Sequence, residues 1–361
     1  MKVAILGAGA GGTSAAVDLS KRGHHVRLWN RSPETIEPLR AAGGIAYQGV
    51  FGEGFIPIAD ITTDLGVVQD SDVLLVCLPT LALGALATDL VRAGLDRKPV
   101  ILNPGHTGGA LEFAHVVRRA GHAPPPTVEF STLTYVARKE RPDLVVTTGQ
   151  ARAVRAAPLP GGNGALSLAR KLYDSAKPAS SVLETSLCNV NMVLHPPGAI
   201  LGAAWIEATN GNYTFYVEGL TAGVERTMEQ LDHERRAVAR AFGLDLPPLF
   251  EEMQAIGTIE PNADTRRGLA AAIRGGTANR NIRAPDTLRH RYFHEDLWYG
   301  LKPFLAFAEI AGVETPIARA LWTLGVTLVG AESPASGRSA REMGIAGSSV
   351  PELLRMVTER Q

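Results

Sequence analysis

The chain has 361 residues, and this length predicts two domains, because single hydrophobic cores stop growing at roughly 250–300 residues. Hydrophobic residues make up 45% of the chain and charged residues 20%, a composition typical of globular proteins. Lys and Arg together number 36, as do Asp and Glu, and this balance argues against non-specific binding of nucleic acid.

We expect neither a membrane-spanning segment nor a metal site. No apolar run approaches the roughly 18 residues of a membrane span, so we expect a cytoplasmic protein. The two cysteines, Cys77 and Cys188, lie far apart and outside any CxxC pattern. They therefore predict neither a disulfide framework nor a zinc site, and no metal is expected.

Strand and helix patterns alternate through the first half of the chain. The apolar strands are nearly continuous, as in a parallel sheet that helices cover on both faces. The predicted strands are 3–6, 25–29, 72–78, 100–102, 128–130 and 144–148, and the main predicted helices are 13–21, 81–93 and 109–120. We therefore expect a doubly wound α/β domain over residues 1–180.

Long helical patterns replace the strands near residue 180. They cover 182–194, 199–208, 215–243, 246–256, 265–274, 296–311 and 315–330, and a surface loop is expected at 332–344. These patterns predict an all-α second domain over residues 181–361. We expect it to carry the substrate site and to provide the contacts of a homodimer.

A glycine-rich turn follows the first strand and opens the first helix, with the sequence Gly7-Ala8-Gly9-Ala10-Gly11-Gly12. This is the GxGxxG pattern in the strand–turn–helix context that dinucleotide binding requires. Gly7 permits the tight turn, Gly9 lets the backbone approach the pyrophosphate, and Gly12 lets the helix pack against the strand. The helix N-terminus would add amide donors and the positive end of its dipole. The pattern predicts a Rossmann-type domain that binds NAD(P).

The residues after the second strand favour NADP(H), with NAD(H) as the alternative. Enzymes that use NAD usually carry an acidic residue here, which binds the ribose 2′-OH. In this chain Asn30 stands at that position. Arg31 would pair with a 2′-phosphate and Ser32 would donate a hydrogen bond to it; alternatively, Arg31 is a solvated loop residue and the enzyme accepts both cofactors.

Two further turns are candidates for cofactor contacts, Leu78-Pro79 and Asn103-Pro104. Each follows a predicted parallel strand. Ligands of open α/β sheets bind at the carboxyl ends of such strands, although an ordinary turn remains the alternative for both.

His195 is the main candidate for acid–base chemistry in the second domain. Histidine suits this role because its pKa lies near neutral pH. His195 follows an apolar helical segment and precedes Pro196, which disfavours helix at the residue before it, so we expect His195 at a helix break. Asn191 lies four residues earlier, on the same helix face. The alternative is a histidine that only caps the helix.

Asp296 is the second candidate, and its pattern allows two roles. It fits the N-cap of the following helix. It would equally orient the imidazole of His195, as a carboxylate does in hydrolase triads.

These segments together resemble the opine dehydrogenases of the octopine/nopaline type, and most closely the bacterial N-(1-carboxyethyl)norvaline dehydrogenase branch. The similar segments run through the whole chain and include one that is not shared by dehydrogenases in general, Asn-Val-Asn-x-x-x-His-Pro. They are Gly7–Gly12, 101–113, 140–142, 185–196, 216–219 and 291–296.

The resemblance implies a Rossmann domain, a helical domain and a reaction. In that reaction an α-amino acid condenses with an α-keto acid such as pyruvate, and NAD(P)H reduces the resulting imine. It implies that His195 is catalytic, that Asp296 is its partner, and that Arg291 binds the keto-acid carboxylate. We further expect Asn191 to bind the substrate or hold the histidine.

Two other classes stay open. A 2-hydroxyacid or polyol-phosphate dehydrogenase would share the two-domain plan, but many of these carry a catalytic lysine four residues before the helix asparagine. Leu187 stands there, and Lys302 is the only lysine after residue 181. The other class is a non-catalytic protein that senses NADP(H), which would need no His/Asp/Arg set.

Overall fold

The computed structural model describes residues 1–95, 97–263, 268–276, 279–330 and 337–358. These residues form two compact units. The first consists of residues 1–105 and 109–185 with the chain end from Val357, and the second of residues 106–108 and 186–356. No helix in the described ranges is both long and apolar enough to cross a membrane.

The first unit alternates strands and helices. Its strands are β1 (Lys2–Leu6), β2 (His25–Trp29), β3 (Gly44–Gly49), β4 (Gly54–Pro57), β5 (Asp60–Thr62), β6 (Val73–Val76), β7 (Val100–Leu102), β8 (Thr127–Phe130), β9 (Tyr135–Arg141), β10 (Leu144–Gln150), β11 (Val154–Pro158) and β12 (Ala176–Pro178). Its helices are α1 (Ala10–Lys21), α2 (Pro33–Ala42), α3 (Leu83–Arg92), α4 (Gly109–Arg119) and α5 (Asn163–Leu172), and α6 (Val182–Leu187) spans the boundary.

The main sheet has the strand order β12–β11–β8–β7–β6–β1–β2–β5. The six strands from β8 to β5 run parallel, and β11 joins antiparallel to β8. β6, β7 and β8 are buried along their whole length, which explains their continuous apolar sequences. The predicted α/β Rossmann-type domain is confirmed.

A second sheet of four strands, in the order β4–β3–β10–β9, corrects one prediction. The segment 144–148 was expected to extend the main sheet, but it belongs to β10, which pairs with β3 and β9. Only one face of β10 is buried, with Val145 and Thr147 pointing inward. Thr147 Oγ1 lies 2.7 Å from Ser14 Oγ, so this face packs on α1. The alternation of buried and open positions distinguishes β10 from the continuous strands of the main sheet.

The second unit is helical, as predicted. Its helices are α7 (Val190–Leu201), α8 (Ala203–Thr209), α9 (Ala222–Ala241), α10 (Leu249–Ile256), α11 (Leu269–Gly275), α12 (Arg291–His294), a π-helical turn (Leu297–Leu301), α13 (Lys302–Ala311), α14 (Pro316–Val329) and α15 (Val350–Thr358), which ends in the first unit.

The expected helix break at His195 is wrong. α7 continues through Pro196 and Pro197 as far as Leu201. The two prolines remove backbone donors, which costs free energy, but nearly every residue from Val190 to Ile200 is buried. Burial of this apolar helix offsets the lost hydrogen bonds.

Two further boundaries differ from the patterns. The helix expected from residue 215 begins only at Ala222, where Thr221 caps it by accepting from the Val224 N–H. Part of the expected surface loop at 332–344 lies outside the described residues, as does 265–267 of the expected helix 265–274. The described part of that loop is not all at the surface, because Arg338 is fully buried and donates to the Thr107 carbonyl at 2.8 Å.

Candidate active site

The glycine-rich turn between β1 and α1 has the shape that a dinucleotide requires. Gly7 has φ +121°, and a Cβ there would lie 2.5 Å from the Cys77 carbonyl oxygen. A Cβ on Gly12 would lie 1.7 Å from the Gly7 carbonyl oxygen, so helix and strand could not pack. A Cβ on Gly9 would meet no atom within 4 Å, so the backbone there faces open space. These residues fit a pyrophosphate at the N-terminus of α1.

Three predicted cofactor residues, Asn30, Arg31 and Ser32, directly follow β2. Asn30 Oδ1 accepts from the Ala8 N–H at 3.1 Å, so the amide ties the end of β2 to the turn. Arg31 is exposed. Ser32 is the N-cap residue of α2, but its hydroxyl does not cap the helix. Exposed Arg31 and half-buried Ser32 therefore leave polar side chains at this end of β2.

The other two predicted turns follow neighbouring strands of the sheet. Pro79 is exposed and Leu78 half-buried after β6. Asn103, after β7, is fully buried, and its amide is bonded to Thr134 at 2.9 and 3.1 Å. The Asn103 side chain therefore holds the loop, and contacts to a cofactor from this turn would use Pro104 or the backbone.

The second unit brings His195 and Asp296 together. His195 lies in the middle of α7, and its Nδ1 is 2.7 Å from Asp296 Oδ2. Both side chains are buried, with 5% and 2% exposure. The Asp296 carboxylate does not cap the π-helical turn that follows it, so of the two roles open to it, the structure shows the one beside the imidazole.

Two tyrosines that the sequence analysis did not single out complete the surroundings of His195. The Tyr216 hydroxyl lies 2.9 Å from Nε2. The Tyr292 ring stacks on the imidazole, with centroids 3.8 Å apart and planes 18° apart. Both tyrosines lie in segments that carry the resemblance, Tyr292 in 291–296 and Tyr216 in 216–219, but neither had been assigned a role.

The loop 213–221 holds Tyr216 in place. Glu218 Oε2 accepts from the Thr214 N–H at 2.6 Å and from its hydroxyl at 2.8 Å, which closes the loop. A Cβ on Gly219 would lie 2.6 Å from the Phe215 carbonyl oxygen, so only glycine fits there. This tight closure explains why the helix α9 starts after the loop.

A second histidine–carboxylate contact lies next to this pair. His106 Nε2 is 3.5 Å from Glu295 Oε1, and both side chains are buried. The Arg291 Nε lies 3.8 Å from the other Glu295 oxygen, while 58% of the Arg291 side chain remains exposed. Arg291 is thus a partly solvated cation beside two buried carboxylates.

Burial governs the charges of these groups. It lowers the pKa of His195 well below 6.5, and the positive charge of Arg291 lowers it further, while Glu295 opposes them. Burial and the neighbouring Glu295 carboxylate raise the pKa of Asp296 well above 3.8. Burial likewise lowers the pKa of His106, against the attraction of Glu295. The site therefore favours a neutral, proton-accepting imidazole at neutral pH.

Asn191 lies one helical turn before His195 and is half-buried. Its backbone N–H donates to Asn189 Oδ1 at 3.2 Å, which caps the start of α7. Asn189 Nδ2 in turn donates to Thr107 Oγ1 at 3.2 Å, so segment 106–108 is fixed to the start of this helix. Among the described residues, no group of three or more His, Cys, Asp or Glu side chains could hold a metal ion.

Fold and site together define an NAD(P)-dependent oxidoreductase. A family model for the alpha-helical domain of NAD/NADP octopine/nopaline dehydrogenase matches residues 178–329, and one for ketopantoate reductase PanE/ApbA matches residues 3–154. An opine dehydrogenase from Arthrobacter sp. (strain 1C) is 32% identical over 348 residues, 95% of each chain. The chain belongs to the opine dehydrogenase family, as the resemblance predicted.

Solved structures show the same fold. Octopine dehydrogenase in complex with NADH and agmatine aligns with a TM-score of 0.75 and 18% identity over 98% of each chain. Yersinopine dehydrogenase with NADP⁺ bound gives 0.75 at 18% identity, over 98% of this chain and 99% of its own.

Proposed function

We propose that this enzyme condenses an α-amino acid with an α-keto acid such as pyruvate and reduces the product to a secondary amine dicarboxylate, reversibly. The observation that carries the proposal is the buried His195–Asp296 pair, joined at 2.7 Å. It occurs in a chain that shares 32% identity with an opine dehydrogenase over 95% of its length. Many members of the alternative class, the hydroxyacid and polyol-phosphate dehydrogenases, carry a catalytic lysine four residues before the helix asparagine. In this chain Leu187 occupies that position.

His195 would manage the protons of condensation. An amino group must lose a proton before it attacks a ketone, and the carbinolamine oxygen must gain one before it leaves as water. Asp296, which accepts from the Nδ1 side, would hold the tautomer whose Nε2 accepts a proton. The nicotinamide cofactor, when bound, supplies the hydride that reduces the imine carbon.

Arg291 would bind the keto-acid carboxylate through two parallel hydrogen bonds. Its side chain is 58% exposed, which supports this role, and Glu295 limits its orientations. Asn191, half-buried on the helix of His195, would bind the substrate or support the histidine.

We assign the cofactor site to Gly7–Gly12, Leu78, Pro79, Asn103 and Pro104, with Asn30, Arg31 and Ser32 at the adenosine ribose. The exposed Arg31 supports a preference for NADP(H), because a guanidinium pairs well with a 2′-phosphate. The fit of the turn supports NAD(H) and NADP(H) alike.

The substrates of the relatives guide the choice of the amine and the keto acid to test. Octopine dehydrogenase has been solved with L-arginine and with pyruvate. We therefore propose pyruvate as the first keto acid to test, and basic as well as apolar amino acids as amines. We also propose a homodimer formed through the second unit.

The test is a screen of amino acids against keto acids, read as NADPH and NADH oxidation. We expect oxidation that requires both substrates. His195→Ala should lower kcat roughly 10²–10⁴-fold, the usual contribution of general acid–base catalysis. A decrease in kcat of less than about tenfold in a folded His195→Ala variant would contradict the role of His195.

A further inference from the structure

Both ring nitrogens of His195 are engaged. Nδ1 faces Asp296 at 2.7 Å and Nε2 faces the Tyr216 hydroxyl at 2.9 Å. When Asp296 is ionised, its carboxylate only accepts, so Nδ1 carries the proton and Nε2 accepts one from the Tyr216 hydroxyl. With this arrangement, no nitrogen of the imidazole is left for a direct contact with a substrate amine.

The surroundings of Tyr216 favour the neutral form of its phenol. Its side chain is buried, and its hydroxyl is also hydrogen-bonded to Tyr292, the residue whose ring stacks on the imidazole. Burial and the neighbouring Tyr292 raise the pKa of Tyr216 well above 10. A neutral phenol that accepts a proton on its oxygen gives up its own O–H proton in the same step.

We propose that the Tyr216 hydroxyl is the catalytic group through which His195 Nε2 exchanges protons with the substrate. This inference rests on the proposed condensation. In the first step the substrate ammonium gives a proton to the Tyr216 oxygen as the Tyr216 O–H proton moves to Nε2. An N–H bond of the substrate breaks, an N–H bond on His195 forms, and Tyr216 is unchanged.

The same path returns the proton. The His195 imidazolium donates to Tyr216 as Tyr216 donates to the carbinolamine hydroxyl. The C–O bond then breaks as the nitrogen lone pair forms the C=N bond, and water leaves. The protonated imine remains, so the positive charge of His195 has passed to the imine nitrogen, and atoms and charges balance without another reactant. The charged and titratable groups around this path are Asp296, Glu295, Arg291, Tyr292 and His106.

The first test compares Tyr216→Phe with Tyr213→Phe. Tyr213 is a buried tyrosine of the same loop, and its hydroxyl has no hydrogen-bond partner among the described residues. We expect Tyr216→Phe to lower kcat about 10²–10⁴-fold and Tyr213→Phe to leave it unchanged. A Tyr216→Phe enzyme as active as Tyr213→Phe would overturn the relay.

A second test separates chemistry from folding. Replacing Tyr216 with 3-fluorotyrosine keeps the ring and the hydroxyl and changes only the acidity of the phenol. The relay predicts a change in kcat with KM unchanged, whereas a hydroxyl that only supports the loop predicts no change. An unchanged kcat would overturn the proposal.

A third readout needs no substrate. With ¹⁵N-labelled histidine, the relay requires the Nε2 resonance of His195 to differ between wild type and Tyr216→Phe, and no difference would overturn it. A wild type without amine-dependent activity would overturn the proposed function and the relay together. An active wild type with a fully active Tyr216→Phe would overturn the relay alone.

Discussion

At the scale of single residues, burial of His195 sets the pH dependence. Its pKa in the folded protein lies below the unfolded value of 6.5, because the buried imidazole loses hydration and faces Arg291. The unfolded chain therefore binds a proton first as the pH falls, and the folded state loses stability below pH 6.5. The proton-accepting form persists at pH 7.

We expect the acid limb of kcat/KM to lie below pH 6.5. We expect the contribution of His195 to the free energy of unfolding to fall over the same range, against the opposite contribution of Asp296, whose pKa is raised. Initial rates and urea titrations between pH 5 and 8 measure both. Titration of His195 itself, followed by NMR with His195→Asn as the assignment control, identifies the group. An apparent pKa of His195 above 6.5 would contradict this account.

Arg31 carries the cofactor preference at the same scale. Arg31→Ala removes a charge-assisted contact worth about 1.5–3 kcal/mol and should raise KM for NADPH at least about tenfold, with KM for NADH unchanged. The matched control is Arg40→Ala, an exposed arginine on α2 that pairs with Glu37. Equal effects of Arg31→Ala on both cofactors, or a wild type that prefers NADH, would refute the preference.

At the scale of elements, two glycines of the β1–α1 turn separate folding from binding. Gly12→Ala places a Cβ 1.7 Å from the Gly7 carbonyl oxygen, so we expect it to destabilise the fold by about 1–3 kcal/mol or more. Gly9→Ala meets no protein atom within 4 Å, so stability without cofactor should be unchanged.

The same Gly9→Ala change should weaken cofactor binding at least about tenfold, since the methyl group would occupy the space next to the pyrophosphate. Thermal unfolding and titration of protein fluorescence with NADPH measure the two effects. Gly9→Ala with wild-type affinity would place the pyrophosphate elsewhere.

Local patterns predicted some of these elements well. β1, the turn and α1 follow from a short apolar run and three glycines, because each constraint acts within a few residues. The continuous helix through His195 could not be predicted from local patterns. The free-energy cost of Pro196 is local, whereas the burial that offsets it comes from helices that are distant in the sequence. The segment of β10 was assigned to the wrong sheet because its partner β9 is mostly polar and gives a weak strand pattern, so the second sheet was not predicted.

The residues of the candidate site also differ in how far the sequence predicts them. His195 and Asp296 were candidates from their own sequence patterns, and the resemblance assigned them catalytic roles and added Arg291. The separation of 101 residues between His195 and Asp296 carries no information on the distance between them. The role of Tyr216 could not be predicted, although it lies in the similar segment 216–219, because its contact to His195 depends on how loop 213–221 closes against α7.

At the scale of the whole molecule, the second unit leaves apolar side chains exposed. Leu201, Trp205 and Leu324 have 51%, 40% and 50% exposure, and they lie on α7, α8 and α14. Exposed large apolar side chains of this kind support the proposed homodimer. Leu324→Glu should shift the protein toward the monomer, as measured by sedimentation velocity.

The control for that change is Thr323→Glu, at the neighbouring exposed position of α14. It adds the same charge without removing apolar surface. A wild type that sediments as a monomer at all concentrations would contradict the dimer, while the fold and the active site would stand.

The most direct test of the central claim is the product formed from a ¹⁵N-labelled amino acid, pyruvate and NADPH. Imine reduction predicts a secondary amine whose mass equals that of the two substrates minus one oxygen, with the ¹⁵N label retained. His195→Ala should form it far more slowly. Oxidation of NADPH that yields only a 2-hydroxy acid, with no label in the product, would contradict the account.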